Sequence, residues 1–273
     1  ETSTGGTEAR SGGSGNIQFT IDSAVAGITI GATTGLLKID STTAAGTYYD
    51  TITTTDSVNA ILHTAVTIYV NVAPQIGGGS DIRTTYKFAQ SSTAFTATGG
   101  TYSGNPNAPG ARAYIYSITR NGGTGAAGNP GISINSSTGV ISVDTTTTAG
   151  TYIETVTATD SVTAFGETTT TIVVNKYIVI SGGSNITTTY GLARNSDTFT
   201  TTEGTGTKTF SILPGTSGIS IGATSGVVTV SATTSAGTYK ETITATDSVG
   251  STSTTTMTVL VNPAISVAGG SGI

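Results

Sequence analysis

A threefold internal repeat constrains the fold of this 273-residue chain more than any other feature. The motif Ala-Gly-Thr-Tyr begins at Ala45, Ala149 and Ala236, and Thr-Asp-Ser-Val begins ten residues later each time. Successive copies are therefore displaced by 104 and then by 87 residues. A shared displacement of several motifs indicates one structural unit repeated along the chain. We therefore expect three tandem modules of similar structure.

Each copy reads as a series of short β-strands. Gly131–Val143 alternates apolar and polar residues on both sides of a polar turn, which predicts a hairpin, and Gly150–Asp160 alternates in the same way. The chain has 62 Thr and 38 Gly but only six Leu and no Trp, a composition that favours strands and turns over helices. About seven strands per copy predict an all-β chain of three immunoglobulin-like sandwiches in a linear array.

The offsets give the module boundaries. Copy two is 17 residues longer than copy three, and the extra residues fall in a Gly-, Asn- and Pro-rich stretch between Gly99 and Pro130. The predicted modules are residues 1–73 (module one, without its own first strand), 74–177 (module two, with the insertion), 178–264 (module three), and 265–273 (the first strand of a following repeat).

The three copies resemble the bacterial putative-Ig and cadherin-like repeats that occur in tandem in large secreted surface proteins. The resemblance is carried by Gly-Ile-x-Ile, Ala-Gly-Thr-Tyr, Thr-Asp-Ser-Val and the final Val-x-Val-Asn type strand, and it covers nearly the whole chain. It implies an extracellular, non-enzymatic module. It also implies that Tyr48, Tyr152 and Tyr239 form the tyrosine corner of such folds, with the hydroxyl bonded to backbone.

The two ends of the chain are out of phase with the repeat. Val267–Ile273 matches the Gly-Gly-Ser segments that open copies two and three, where we expect a bulge or a strand that crosses between sheets. The tail thus carries what module one lacks, so we expect Ile265, Val267 and Ile273 at an interface between identical subunits joined head to tail. Either the tail fills the open edge of the next subunit, or the chain is one period of a longer polypeptide. Both alternatives give a filament or sheath on the cell surface.

A second hypothesis is an adhesin stalk that acts as a spacer for ligand or glycan binding. Its recognition surface would be the insertion of copy two, since loops often carry binding residues. The candidate residues there are Tyr102, Arg112, Tyr114, Tyr116 and Arg120.

Composition excludes several other classes of protein. The absence of Cys excludes disulfides and thiolate sites, and the single His, His63, excludes any site that needs two imidazoles. A net charge of −5, with ten scattered basic residues, argues against nucleic acid as a partner. No apolar run is long enough to insert into a membrane as a helix. No nucleophile with a base and no carboxylate pair is localised, so we predict no catalytic residues and no cofactor.

Two kinds of minor site remain open. Asp56, Asp160 and Asp247 recur at one turn, where they either cap the turn or contribute to a calcium site between modules. Asn135 and Asn185 stand in Asn-x-Ser/Thr sequons, so they are candidates for glycosylation.

Overall fold

The computed structural model describes residues 12–23, 25–101, 114–124 and 131–267. Within these ranges every regular element is a β-strand, and no helix that could cross a membrane is found. The chain is all-β, with three tandem immunoglobulin-like sandwiches, as the repeat predicts.

Module one forms two small sheets. Its described strands are β1 (Gln18–Ile21), β2 (Ile28–Ile30), β3 (Leu37–Ile39), β4 (Gly46–Thr55) and β5 (Ile61–Val70). The sheet order is β1-β4-β5 in one sheet and β2-β3 in the other, and all of these pairs are antiparallel.

Module two has more strands than module one among the described residues. They are β6 (Gln75–Gly78), β7 (Ile82–Thr85), β8 (Gln90–Ser91), β9 (Phe95–Thr98), β10 (Ile115–Gly123), β11 (Ile132–Ile134), β12 (Ile141–Val143), β13 (Gly150–Thr159) and β14 (Phe165–Asn175). β10-β13-β14-β7 form one sheet, in which β7 is parallel to β14. β11-β12-β8 and β6-β9 form the two smaller sheets.

Module three repeats this arrangement. Its strands are β15 (Val179–Gly182), β16 (Ile186–Thr189), β17 (Arg194–Asn195), β18 (Phe199–Thr202), β19 (Thr209–Leu213), β20 (Ile219–Ile221), β21 (Val228–Val230), β22 (Gly237–Thr246) and β23 (Thr252–Asn262). Its sheets are β16-β23-β22-β19, β17-β21-β20 and β15-β18, and β16 is parallel to β23. Modules two and three thus each enclose a separate core between their sheets.

Alternation along the strands produces these cores. On β13 the side chains of Tyr152, Glu154, Val156 and Ala158 are fully buried, and the Thr residues between them are partly exposed. Successive strand residues point to opposite faces, so one apolar face suffices for a thin sandwich. The hairpin predicted for Gly131–Val143 is confirmed as the pair β11 and β12.

The Gly-Gly-Ser segments are crossings between sheets. β6 pairs with β9 in one sheet, and β7, which begins after three intervening residues, pairs with β14 in another. Gly79 makes this crossing with a φ of +70°, and a Cβ on it would collide with the ring of Phe95. The first strand of modules two and three, which the sequence presents as one segment, is therefore two strands in two sheets.

The tyrosine hydroxyls lie as the resemblance implies. Those of Tyr48, Tyr152 and Tyr239 each donate to a backbone carbonyl four residues earlier, at 2.6, 2.8 and 2.7 Å. Only the ring of Tyr152 is fully buried, and the other two rings are half-buried. The hydroxyl bond fixes the start of the long strand in every module.

Candidate assembly site

The last long strand of each module differs in what lies beside it. β14 lies between β13 and β7, and β23 lies between β22 and β16. β5 pairs with β4 on one side, and no strand within the described ranges pairs with its other side. An unpaired strand edge presents backbone donors and acceptors that a further strand can use. In the described part of the chain, the outer edge of β5 in module one is therefore unpaired. The equivalent edges of β14 and β23 are each covered by a strand of their own module.

The side chains of β5 reflect this open edge. Ile68 is buried, but Val66 and Val70, which point to the same face, are only half-buried. Val174 and Val261, the counterparts of Val70 in the other two modules, are both buried. Covering exposed apolar area of this kind with a further strand stabilises the module.

The tail shows the complementary property. The side chains of Ile265 and Val267 are 92% and 90% exposed. Their counterparts 87 residues earlier are Ile178, which is 3% exposed, and Ile180, which packs against the core of module three. Ile273, the third residue predicted at the interface, lies outside the described residues. The tail therefore holds apolar side chains in solvent at positions that the repeat buries.

The division of the first strand refines how the tail matches module one. Residues 265–269 correspond to β15 and its approach, and β15 pairs with β18 rather than with β23. Ile273 corresponds to Ile186, the first residue of β16, which is the strand that covers the edge. The counterpart of β18 in module one falls at residues 8–11, outside the described ranges. The open edge of β5 therefore corresponds to the β16 type of strand.

The junction between modules two and three is held by one buried carboxylate. Oδ2 of Asp247 accepts a hydrogen bond from the Thr85 hydroxyl at 2.6 Å and one from the Thr205 amide at 2.8 Å. Its Oδ1 accepts from the amides of Val249 and Ser251 at 3.0 and 2.9 Å. Thr85 is the last residue of β7, the strand that covers the outer edge of β14. The hydrogen bond to Asp247 therefore connects this cover strand of module two to module three.

These hydrogen bonds also set the charge of the group. Burial raises the pKa of the Asp247 carboxyl, but hydrogen bonds from Thr85, Thr205, Ser251 and Val249 lower it by more, so the pKa lies below its ordinary value. The carboxylate is therefore ionised at neutral pH, and hydrogen bonds to an ionised acceptor are stronger than those to a neutral one.

The junction between modules one and two has an equivalent acid, Asp160, with equivalent backbone donors. Among the described residues, however, it has no hydroxyl donor equivalent to that of Thr85. Oδ2 of Asp160 accepts from the Thr101 amide at 2.6 Å, and its Oδ1 accepts from the amides of Val162 and Ala164. The Asn71 amide group donates to the Thr101 hydroxyl at 3.3 Å. Within the described residues no hydroxyl from a cover strand reaches Asp160. A cavity of about 800 Å³ lies at this place.

Asp56, the first of the three recurrent acids, caps its turn in the same way. Its carboxylate accepts from the amides of Ser14, Val58 and Ala60 at 3.0, 3.0 and 2.8 Å, and these bonds lower its pKa. Across the described ranges, His, Asp and Glu nowhere form a group of three or more that could hold a metal ion. The geometry of these acids thus matches the turn-capping alternative, and calcium binding gains no support.

A second set of acids lies in the cores. Glu154 and Glu241 are fully buried at equivalent positions, two residues after the corner tyrosine. Glu241 accepts from the loop amides of Gly215 and Thr216 at 3.2 and 3.4 Å, and Glu154 pairs with Arg120 at 3.4 Å. The sequence signal is an acid on the apolar face of an alternating strand. Such a group requires internal partners, because burial of an unpaired charge is costly.

The structure places two of the residues predicted for the recognition loop on a strand instead. Tyr116 and Arg120 lie on β10, and Tyr114 directly precedes it, whereas Tyr102 and Arg112 fall outside the described residues. β10 has nine residues against five in its counterpart β19, so part of the insertion extends a strand rather than a loop.

The side-chain contacts on β10 are structural. Tyr116 is 7% exposed and packs in the core of module two. The guanidinium of Arg120 stacks on the ring of Tyr152 at 4.4 Å, besides its ion pair. The Tyr114 hydroxyl donates to the Gly99 carbonyl at 2.7 Å. These three residues therefore make structural contacts within module two, and their role in recognition stays a prediction.

The remaining candidates lie on the surface. Asn135 and Asn185 are exposed, and each accepts backbone hydrogen bonds through Oδ1 within a turn or at a strand edge. Their glycosylation stays a prediction. His63 is exposed on β5, with Nδ1 2.9 Å from the Thr53 hydroxyl on β4.

Comparisons with known proteins give structural similarity only. No family model matches the sequence, and no curated protein matches it. Among solved structures, domains 3–6 of protocadherin gamma B2 are similar at 13% identity and a TM-score of 0.34, covering 93% of this chain and 70% of that one. Drosophila N-cadherin EC1-4 gives 14% and 0.30, covering 96% and 70%. Mouse cadherin-23 EC22-24 gives 20% and 0.29, covering 94% and 90%. Since all three TM-scores lie below 0.5, we infer the function of this chain from its own geometry.

Proposed function

We propose that this chain is an extracellular structural protein whose sandwich modules assemble head to tail into a surface filament or sheath. In this assembly the C-terminal segment of one unit helps to complete module one of the next. Identical subunits are the partners. No step of catalysis and no cofactor takes part.

Two separate observations support the proposal: module one has an open edge at β5, and the tail exposes apolar residues that correspond to β15, the strand that directly precedes the edge-covering strand β16. The outer edge of β5 has no partner within the described ranges, whereas the equivalent edges of β14 and β23 are covered. The tail exposes Ile265 and Val267, whose counterparts are buried by the repeat. Main-chain pairing supplies affinity in strand addition, and alternate apolar side chains supply specificity.

The symmetry of the contact determines what it builds. A tail that docks on the opposite end of the next copy uses two different surfaces, so the contact is heterologous. Such contacts generate open fibres when the rotation between copies does not close a ring. Modules that contact one another mainly at their ends would then be stacked in a line.

The surface chemistry is also consistent with a structural role. On β13 and β22 the outward positions are mostly Thr, and charged residues make up only 9% of the chain. Hydroxyl-rich strand faces remain wetted without strong attraction to charged partners. The sequons at Asn135 and Asn185 are exposed and would accept sugars on such a surface.

Electron microscopy of the purified chain tests this proposal. We expect long uniform filaments from the unaltered chain, and their loss when residues 265–273 are deleted or when Ile265 and Val267 are both changed to Thr. A matched control is Tyr49→Thr, which removes an apolar side chain that is 81% exposed but lies on β4, away from the tail.

Three outcomes are decisive. Filaments that disappear with the tail variants and persist with Tyr49→Thr support the proposal. Filaments that persist without the tail contradict it. Separate rods about three modules long, for every variant, favour the adhesin stalk.

A further inference from the structure

The sequence contains one Asn-Gly pair, at Asn121 and Gly122. Asn is chemically labile, because its side-chain amide can react with the main-chain amide of the residue that follows it. Gly in that following position favours the reaction, since no Cβ shields its nitrogen and its main chain is free to move. Whether the reaction takes place in a folded chain therefore depends on how the structure holds these two residues.

Asn121 is the extra residue of a β-bulge in β10. Arg120 pairs with Glu154 of β13, and Gly122 pairs with Ile153, which is the adjacent residue of β13, so no residue of β13 lies opposite Asn121. A bulge leaves its extra residue outside the regular hydrogen-bond ladder. Asn121 is also exposed to water. The labile Asn thus occupies a position that the ladder does not hold.

This part of β10 has no equivalent strand in module three. β19 ends at Leu213, one residue before the position that would pair with Glu241. Asn121 lies beyond the pair that β10 makes with Glu154, the counterpart of Glu241. The core that modules two and three share therefore does not depend on the conformation of Asn121.

The main chain is held on both sides of the bulge. Before the bulge, Arg120 forms its ion pair with the buried Glu154 at 3.4 Å. After it, Gly123 lies so close to Thr151 that a Cβ on Gly123 would collide with the Thr151 carbonyl. The Thr124 hydroxyl accepts a hydrogen bond from the Thr151 amide at 3.2 Å. Local motion within the bulge therefore does not require the rest of the strand to separate.

We propose that Asn121 is a site of spontaneous covalent modification in the folded chain. The amide nitrogen of Gly122 attacks Cγ of Asn121 and gives up its proton, and the side-chain nitrogen of Asn121 leaves as ammonia, so that a succinimide ring forms. Water then opens the ring at either carbonyl and leaves aspartate or isoaspartate at this position. The net change is the gain of water and the loss of ammonia, without oxidant, reductant or cofactor. This inference is independent of the proposed function.

The products change the charge and the main chain at the bulge. Either product replaces a neutral amide with a carboxylate, which is ionised at neutral pH. Isoaspartate also lengthens the main chain by one carbon, because its link to Gly122 runs through the side-chain carboxyl. A bulge already contains one residue more than the strand opposite, so it absorbs this length without displacing the pair of Arg120 and Glu154. We therefore expect module two to stay folded after the reaction.

Incubation of the folded full chain at neutral to mildly alkaline pH tests the proposal. The products are located by peptide mapping with mass spectrometry and by enzymatic methylation of isoaspartate. We expect both products in the peptide that contains Asn121, at a rate within about tenfold of the rate in concentrated urea, because local opening at a bulge costs little free energy. A residue held in a regular strand would react far more slowly in the folded chain than in urea.

The chain provides two controls. Gly122→Ala adds a Cβ that shields the attacking nitrogen, and the nearest contact of this Cβ would be Cδ1 of Ile153 at 3.9 Å, an ordinary distance, so the fold is kept. This variant should slow the reaction several-fold, both in the folded chain and in urea. Asn135 is an internal control, because it is exposed but its Oδ1 accepts from the amides of Ser137 and Thr138 at 3.0 and 2.9 Å. It should stay unmodified in the folded chain.

The outcomes separate the effect of the bulge from that of the sequence. Modification of Asn121 in the folded chain, slowed by Gly122→Ala, supports the proposal. Modification that occurs in urea alone, or in neither state, overturns it. Equal modification of Asn121 and Asn135 in the folded chain also contradicts it, because the bulge would then have no influence on the rate. Filament formation enters none of these measurements, so the proposed function stands or fails separately.

Discussion

The junction between modules two and three allows a quantitative test through one hydroxyl group. Thr85→Val removes the donor of the 2.6 Å hydrogen bond to Asp247 and keeps the size and strand preference of the side chain. Both residues are buried, at 0% and 5% exposure, so water does not replace the lost donor easily. Hydrogen bonds to charged groups contribute about 1.5–3 kcal/mol. We expect module three to lose stability by about this amount.

Thr189→Val is the matched control for this change. Thr189 has the same position in β16 as Thr85 has in β7, and within the described ranges it makes no side-chain hydrogen bond to a following module. Its replacement should change stability by less than about 0.5 kcal/mol.

Hydrogen exchange measured at increasing urea, with peptides from 237–262, reports the free energy of unfolding of module three separately from the other modules. The reasoning predicts a clear loss for Thr85→Val and almost none for Thr189→Val. Equal effects of the two variants would refute the claim that a hydroxyl from module two stabilises module three.

Three further predictions concern single residues. The pKa of Asp247 is lowered in the folded chain, so the ionised carboxylate stabilises module three. This stabilisation should be complete above the ordinary Asp pKa of about 3.9 and be lost as pH falls through the lower folded pKa. The melting temperature of module three should therefore fall in acid, and it should fall less in Asp247→Asn. Glu241→Ala should destabilise module three by about 1–3 kcal/mol in urea unfolding, because two loop amides lose their acceptor. Glu241→Gln should destabilise it less. Equal losses of stability would argue against the carboxylate oxygens as acceptors. Tyr152→Phe should cost module two about 1 kcal/mol in the same assay, because the buried hydroxyl loses its carbonyl partner; an unchanged midpoint would contradict the role of the corner.

The fold could be predicted because its signals are local and repeated. The alternation of Tyr152, Val156 and Ala158 with Thr indicates a half-buried strand directly, and Gly residues mark where strands end or cross. Three copies of one pattern also reduce the risk that any single reading is accidental.

The candidate site was harder to predict because it depends on contacts between modules. The pattern Thr84-Thr85-Tyr86 recurs at Thr188-Thr189-Tyr190 and was available in the sequence, but Thr is so frequent that the pair carries no visible signal. Only the three-dimensional junction shows that the second Thr meets an Asp 162 residues later. Long-range partners of this kind do not follow from strand periodicity.

The insertion of module two shows a different limit. Its Gly and Pro residues predict a loop, and aromatic and Arg side chains in a loop suggest recognition. Tyr116 instead lies on β10, opposite Ala158, as Phe210 lies opposite Ala245 in module three, so it belongs to the strand that the two modules share. Arg120 lies in the part of β10 that extends beyond its counterpart β19, where it pairs with the buried Glu154. The pairing with a distant acid is not visible in the local loop signal.

Amide hydrogen exchange of β5 in assembled material tests the central claim most directly. If a strand from another copy covers the edge, the β5 amides that do not bond to β4 should exchange rapidly in separate chains and become protected in filaments, to the level of the corresponding amides of β14. Filaments in which these β5 amides exchange as rapidly as in the separate chain would contradict the account.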